Sequence, residues 1–175
     1  MSTRLLLSLL STHALCCMVV AGCGGTTSSP DTGSPTTGAG TISVGHYLIA
    51  ADGLTVTDVN TRLVWQRDTL GLRTGCSGGL TCSWVEAQSY CDGLTVGSLT
   101  GWRLPTLSEL QSLVDKTVTP PPLIDQTAFP DTQANTFWTS SPEVGSSECA
   151  MIVSFYNGAS YDDGEAFGNG VRCVR

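Results

Sequence analysis

Short strand-like patterns of apolar and polar positions open the folded half of the chain, which we expect to run from about His46 to Arg175. Residues 47–50 form a first strand candidate. Residues 54–58 and 62–66 alternate β-branched or apolar residues with polar ones, and the polar stretch 59–61 separates them. Alternation on both sides of a short polar turn predicts a β-hairpin.

Two capping boxes predict two helices in the middle of the chain. In each box a Ser or Thr precedes a Glu by three positions, at Ser83 and Glu86 and again at Thr106 and Glu109. Each partner can satisfy a free backbone N–H of the other, which favours a helix start. Four residues would lie on one face of the first helix, namely Trp84, Ala87, Cys91 and Leu94. We expect this helix to end at Gly93 or Gly97. The second follows Pro105 and turns Leu107, Leu110 and Val114 inward.

The last third of the chain returns to strand patterns. Residues 117–135 contain three consecutive prolines and no periodicity, so we expect a long ordered loop there. Residues 137–140, 149–155 and 171–175 are strand-like, and Asn157-Gly158 predicts a hairpin turn. Strands at both ends and two helices between them predict an α+β domain whose ends pair.

The first residues predict export and a lipid anchor. Residues 1–22 combine one positive charge with an interrupted apolar stretch that ends in small residues, and Val20-Ala21-Gly22-Cys23 resembles the bacterial lipobox. Cys23 would then receive lipid, with an ordinary secretory signal as the alternative. Residues 23–45 are rich in Gly, Ser, Thr and Pro and predict a flexible tether. The expected location is the bacterial cell envelope, lipid-anchored at the outer membrane, facing the periplasm or the surface.

Charge narrows the possible partners. The chain has 8 Lys and Arg against 15 Asp and Glu, a net charge of −7. Removal of residues 1–22 would remove Arg4 and no acid, so the charge would become 7 − 15 = −8. An acidic chain is a poor partner for phosphates, which argues against nucleic acid and against adsorption to anionic lipid headgroups.

Several motifs together resemble one known family. They are Gly-Leu-Thr-Val-Thr-Asp at 53–58, Leu-Val-Trp-Gln at 63–66, Trp-x-x-Ala-x-x-Tyr-Cys at 84–91, Trp-Arg-Leu-Pro-Thr-x-x-Glu-Leu at 102–110 and Phe-Trp-Thr-Ser-Ser at 137–141. The set resembles the Lcl C-terminal domain family, named after a collagen-like bacterial adhesin. The resemblance implies a C-type-lectin-like fold, with two short helices on small antiparallel sheets and long ordered loops. It also implies an extracytoplasmic binding role.

The motif residues of that family have structural interpretations here. Trp84, Trp102 and Pro105 belong to the fold's own motif, and we expect the two tryptophans in the core. Arg103 is expected to form an ion pair with Glu109 or Asp115 rather than to clamp a ligand. Arg62 stands where the family usually has Gly, which weakens the prediction of a tight turn at positive φ there.

The cysteines of residues 46–175 are odd in number. The resemblance implies a Cys91–Cys173 disulfide, and Cys76–Cys82 would close the Gly-rich loop between them. Cys149 is then left over, as a reactive thiol or, more usually, a small buried apolar side chain, and rival pairings join it to Cys76 or Cys82.

Few residues suggest other chemistry. Asp162, Asp163 and Glu165 form the densest acidic cluster, which we interpret as a solvated loop rather than a calcium site. Trp65 and Trp138 join the two motif tryptophans as candidates for stacking on sugars. His46 is the one histidine after the signal segment, so we predict no catalytic residues, no metal and no cofactor.

The leading hypothesis is a non-catalytic binding or adhesion module, with an unknown protein or carbohydrate ligand. The ligand would bind the irregular loops, about 66–82 and 116–147. The alternatives are an enzyme related to formylglycine-generating sulfatase modifiers, which use a C-terminal cysteine pair on copper, and a structural envelope spacer.

Overall fold

The computed structural model describes residues 40–68, Cys76, Gly79 and residues 81–175. The signal segment 1–22, the lipidation residue Cys23 and most of the tether predicted over 23–45 lie outside the described residues. No helix in the described part is long and apolar enough to cross a membrane.

The first four strands form one antiparallel sheet in the order of the chain. Its strands are β1 (Ile42–Val44), β2 (Tyr47–Ile49), β3 (Thr55–Asp58) and β4 (Val64–Gln66). The predicted hairpin is β3 and β4, with Thr55 opposite Gln66. Strand β1 lies inside the segment predicted as tether, so that prediction is wrong for these residues. They are extended because they pair with β2, which their own sequence did not reveal. Arg62 has φ +65°, so the turn keeps a left-handed residue without glycine, contrary to expectation.

Both predicted helices are present. Helix α1 (Trp84–Asp92) begins at the Ser83 cap and ends at Gly93, and α2 (Leu107–Gln111) begins at Thr106. Both capping boxes form: the Glu86 carboxylate accepts the Ser83 N–H at 2.9 Å, and the Glu109 carboxylate accepts the Thr106 N–H at 2.7 Å. These local contacts explain why the four-residue capping boxes predicted the start of both helices.

A second antiparallel sheet forms from the last three strands, β5 (Thr136–Pro142), β6 (Cys149–Ser154) and β7 (Ser160–Gly164). Between α2 and β5 the long loop predicted over 117–135 carries neither helix nor strand. Strand β7 corrects the prediction of an acidic loop, because Asp162 and Asp163 lie within it and pair opposite Met151 and Ala150. The polar sequence of β7 forms a strand because apolar β6 supplies the pairing partner.

The C-terminal segment closes on the first sheet, as predicted. Val64 and Arg175 exchange two backbone hydrogen bonds of 3.0 and 2.9 Å, and the Gln66 N–H donates to Cys173. The α+β class with two helices and two small antiparallel sheets is confirmed. The C-type-lectin-like fold stays a prediction.

Disulfides fasten both the helix and the loop before it. Cys91 of α1 is bonded to Cys173, with Cα atoms 5.5 Å apart, and Cys76 is bonded to Cys82 at 5.0 Å. Both bonds match the pairing implied by the sequence. Cys149 is buried at the start of β6 and is disulfide-bonded as well. The interpretation of Cys149 as a lone buried side chain is therefore wrong.

Arg172 lies fully buried between the first sheet and the long loop. Its guanidinium donates to the Gln66 carbonyl at 2.6 Å, to the Arg67 carbonyl at 2.8 Å and to the Thr132 hydroxyl at 2.8 Å. Asp131 lies 3.4 Å from it as the counter-charge. Burial lowers the pKa of Arg172 to about 10, so the side chain stays charged at neutral pH.

Candidate functional site

A cavity of about 360 Å³ opens where the first sheet meets the segment after α2. It is lined by residues 45–47, by residues 112–115 and by Asp125 of the long loop. This volume lies at the lower end of the range usual for small-molecule pockets. Three separate parts of the chain therefore contribute to one concave site.

The turn between β1 and β2 forms one wall. Gly45 has φ +57°, a conformation that an L side chain rarely adopts, and it reverses the chain between the two strands. The exposed His46 ring then lies 4.0 Å, centroid to centroid, from the ring of Tyr47. Tyr47 itself is 4% exposed and packs edge-on against Phe129, with the ring centroids 5.2 Å apart. The two rings give the cavity a partly apolar face.

Two carboxylates also line the cavity, and each is held by its own turn of the same kind. One oxygen of Asp115 accepts the backbone N–H of Thr117 at 2.8 Å and its hydroxyl at 2.6 Å. One oxygen of Asp125 likewise accepts the N–H of Thr127 at 2.8 Å and that of Ala128 at 3.0 Å. Within the described residues, the second oxygen of each carboxylate accepts no hydrogen bond. Each side chain is therefore oriented by hydrogen bonds to one oxygen, and the other oxygen has no donor in this part of the chain.

The Tyr47 hydroxyl also lacks a hydrogen-bond partner among the described residues. The buried polar side-chain atoms that are sealed off without a partner in this part of the chain are Trp65 Nε1 and Arg172 Nε. The Tyr47 oxygen is not one of these sealed atoms, so it is accessible, and the residue lines the cavity. A ligand in the cavity could therefore form a hydrogen bond with this hydroxyl.

The electrostatics of the site are negative. Burial raises the pKa of Tyr47, and the nearby carboxylates of Asp58, Asp125 and Asp115 raise it further. The hydroxyl therefore stays protonated. Hydrogen bonds from Thr117 lower the pKa of Asp115, and the charge of His46 contributes. A carboxylate with a lowered pKa is ionised at neutral pH, where it serves as an acceptor and a negative charge.

The residues predicted from the family motif occupy structural positions. Trp102 is 2% exposed and donates its Nε1–H to the Leu99 carbonyl, and half-buried Trp84 donates to the Thr139 carbonyl at 2.7 Å. Pro105 is buried, and its carbonyl accepts the Ser140 N–H. Trp65 and Trp138 are fully buried. Stacking of a sugar on Trp65, Trp102 or Trp138 is therefore ruled out in this conformation.

Arg103 pairs with Glu109 and not with Asp115. Both guanidinium nitrogens reach the carboxylate, at 2.8 and 2.7 Å. The Arg103 hydrogen bond, helped by the N–H of Thr106, lowers the pKa of Glu109 to about 2. The expectation of an ion pair at this position is confirmed, with the first of the two proposed partners.

The acidic cluster on β7 does not form a site. Neighbouring residues of a strand point to opposite faces, which separates Asp162 from Asp163. Asp163 accepts hydrogen bonds from the Gly164 N–H at 2.9 Å and from the Asn169 side chain at 2.9 Å. Among the described residues, no group of three or more His, Cys, Asp or Glu side chains could hold a metal ion.

The sequence did not reveal that the five polar residues of the cavity lie together; these are His46, Tyr47, Ser112, Asp115 and Asp125. Of the two loops predicted to bind a ligand, 116–147 contributes Asp125, whereas much of 66–82 lies outside the described residues. One signal was present in the sequence: Asp115-Lys-Thr117 and Asp125-Gln-Thr127 repeat the Asp-x-Thr pattern of a side-chain-to-backbone turn. That pattern predicts two ordered carboxylates but not that they face one cavity.

A comparison with protein families gives a match over most of the described chain. A family model described as the Lcl C-terminal domain matches residues 54–175, which is more than half of the chain. No curated protein matches the sequence. The match covers Asp115 and Asp125, whereas Gly45, His46 and Tyr47 lie before it.

Proposed function

The chain belongs to the Lcl C-terminal domain family, and we propose from this premise that it is a non-catalytic binding and adhesion module of the bacterial cell envelope. The observation that carries the proposal is the cavity at residues 45–47, 112–115 and 125. Two carboxylate oxygens and one hydroxyl that have no hydrogen-bond partner among the described residues support contact with a ligand there. Disulfides on α1 and on the preceding loop support a rigid scaffold of the kind that exported proteins use.

The pKa shifts of Asp115 and Tyr47 do not favour acid–base catalysis by either group. Asp115 holds a lowered pKa and Tyr47 a raised one, so neither is tuned toward neutral pH, where a general acid or base works best. The sulfatase-modifier alternative requires a C-terminal cysteine pair, and Cys173 is bonded to Cys91. The enzyme alternative therefore gains no support from the structure. The alternative of a structural envelope spacer is distinguished from a binding module by the experiment below.

Binding is tested with the full chain on beads, incubated with labelled envelope polysaccharides and with surface protein extracts. We expect retention of a component that survives physiological salt, because contacts in a cavity are screened less than exposed charges. Beads that carry the reduced, unfolded chain are the control. Failure to retain any envelope component would leave the spacer as the better function.

The lipid anchor is a separate part of the proposal and needs its own test. Cys23 is expected to take up labelled fatty acid in a bacterial host and to hold the protein in the membrane fraction. A Cys23→Ala variant should lose both the label and the membrane association, and Cys17→Ala should keep both, because Cys17 lies in the segment that we expect to be removed. Labelling of Cys23→Ala, or its continued presence in the membrane, would contradict the anchor.

A further inference from the structure

We propose that the cavity binds an amino sugar with a free ammonium group, and this inference rests on the proposed binding function. The site places two ordered carboxylates in one cavity with Tyr47, whose hydroxyl is accessible and has no hydrogen-bond partner among the described residues. The chemistry that satisfies all three groups at once is a cation with neighbouring hydroxyls.

The carboxylates select the charge of the ligand. Asp115 and Asp125 each keep one oxygen without a hydrogen bond among the described residues, and the other oxygen is already oriented by backbone donors. An ammonium group carries three donors, and it would form charge-assisted hydrogen bonds with these carboxylate oxygens. An anionic or sulfated group would be repelled. Lys116 does not line the cavity, since its side chain lies beside Gly158 in the turn between β6 and β7.

The Tyr47 hydroxyl and the shape of the cavity select a sugar over a simple amine. A hydroxyl that stays protonated can both donate to and accept from a sugar hydroxyl. The exposed His46 ring lies 4.0 Å from the Tyr47 ring, centroid to centroid, and its face could stack on a sugar ring. The cavity of about 360 Å³ is within the size range of small-molecule sites. A lysine side chain has no hydroxyl that could pair with Tyr47.

The test is calorimetric titration of the full chain with a tetramer of glucosamine and with the matching tetramer of N-acetylglucosamine. Acetylation removes the charge and keeps the sugar. We expect the free amine to bind at least about tenfold more tightly, since charge-assisted hydrogen bonds are roughly twice as strong as neutral ones. Equal affinities for the two tetramers would overturn the inference.

Three variants and one control locate the binding. Asp115→Asn and Asp125→Asn keep the oxygen that accepts the backbone donors, so we expect folded proteins with at least about tenfold weaker binding. Tyr47→Phe removes a group without a partner and should weaken binding while the protein stays folded. Asp162→Asn makes the same charge change on β7, and we expect less than about a twofold effect because surface charges are screened.

The remaining outcomes separate the two proposals. Equal losses in Asp162→Asn and Asp125→Asn would reveal general charge attraction and overturn the inference. Tighter binding of a lysine tetrapeptide than of the glucosamine tetramer would overturn the choice of a sugar. If envelope components bind unchanged to all the variants, the inference fails and the proposed function stands. If the glucosamine tetramer binds but no envelope component does, the proposed function fails instead.

Discussion

Replacement of Arg172 by Met tests how the cavity's long loop is held in place. The guanidinium connects the Gln66 and Arg67 carbonyls at the end of the first sheet to the Thr132 hydroxyl and to Asp131 in the loop. It also lies 4.8 Å from the centroid of the Phe129 ring, which packs against Tyr47. Methionine keeps much of the apolar stem but removes every one of these donors.

We expect a large loss in the free energy of unfolding because Arg172 is fully buried. Removal of one partner of a buried ion pair costs about 3–5 kcal/mol, since the groups left behind stay buried. Arg103→Met is the matched control: it makes the same substitution in an arginine that is also paired with a carboxylate. The Arg103 side chain is 45% exposed, so water can replace its contacts, and we expect a loss of about 1 kcal/mol or less.

Urea unfolding of both variants and of the unchanged chain, followed by tryptophan fluorescence, gives the comparison. The midpoint of Arg172→Met should fall far below that of Arg103→Met, with the same dependence on urea concentration. A loss under about 1 kcal/mol for Arg172→Met, or equal losses for the two variants, would refute the role of Arg172 as the buried anchor of the loop.

Three further changes test local features. Arg62→Gly should raise the free energy of unfolding by about 0.5–1 kcal/mol, because Arg62 has φ +65°, which glycine adopts more easily. A lower midpoint of thermal unfolding in the variant would contradict this. Glu109→Gln should flatten acid unfolding between about pH 4.5 and about pH 2, since the lowered pKa of Glu109 stabilises the protein above that window and the contribution disappears as pH falls. Loss of the Cys91–Cys173 bond, which spans 82 residues, should lower the free energy of unfolding by about 4–5 kcal/mol, against about 2 kcal/mol for Cys76–Cys82, which spans 6. Equal urea midpoints for the two variants would contradict the explanation by chain entropy.

Features that depend on neighbours in the sequence could be predicted. The two helices follow from capping boxes only four residues long, and the β3–β4 hairpin follows from alternation around one turn. Strands β1 and β7 could not be predicted, because their residues are extended through pairing with β2 and β6 and not through their own preferences. Polar Asp162 and Asp163 therefore looked like a loop.

The candidate site depends on contacts between distant residues, which a single sequence does not reveal. Tyr47 and Asp125 are far apart in the chain, and each has an ordinary local explanation, a strand residue and a turn residue. That Tyr47 and Asp125 line one cavity depends on the packing of β2 against the loop. The Asp-x-Thr repeat could have indicated that both carboxylates accept backbone hydrogen bonds, but not that they share a cavity.

The central claim, that this cavity is the binding site, is tested most directly by mapping amide chemical shifts of the ¹⁵N-labelled chain during titration with the glucosamine tetramer. If the cavity is the binding site, the largest shifts fall at residues 45–47, 112–115 and 125. At the same ligand concentration they are clearly smaller in Asp125→Asn but not in Asp162→Asn. Shifts centred on β7, or saturable binding that leaves the amides of Tyr47 and Asp115 unmoved, would contradict it.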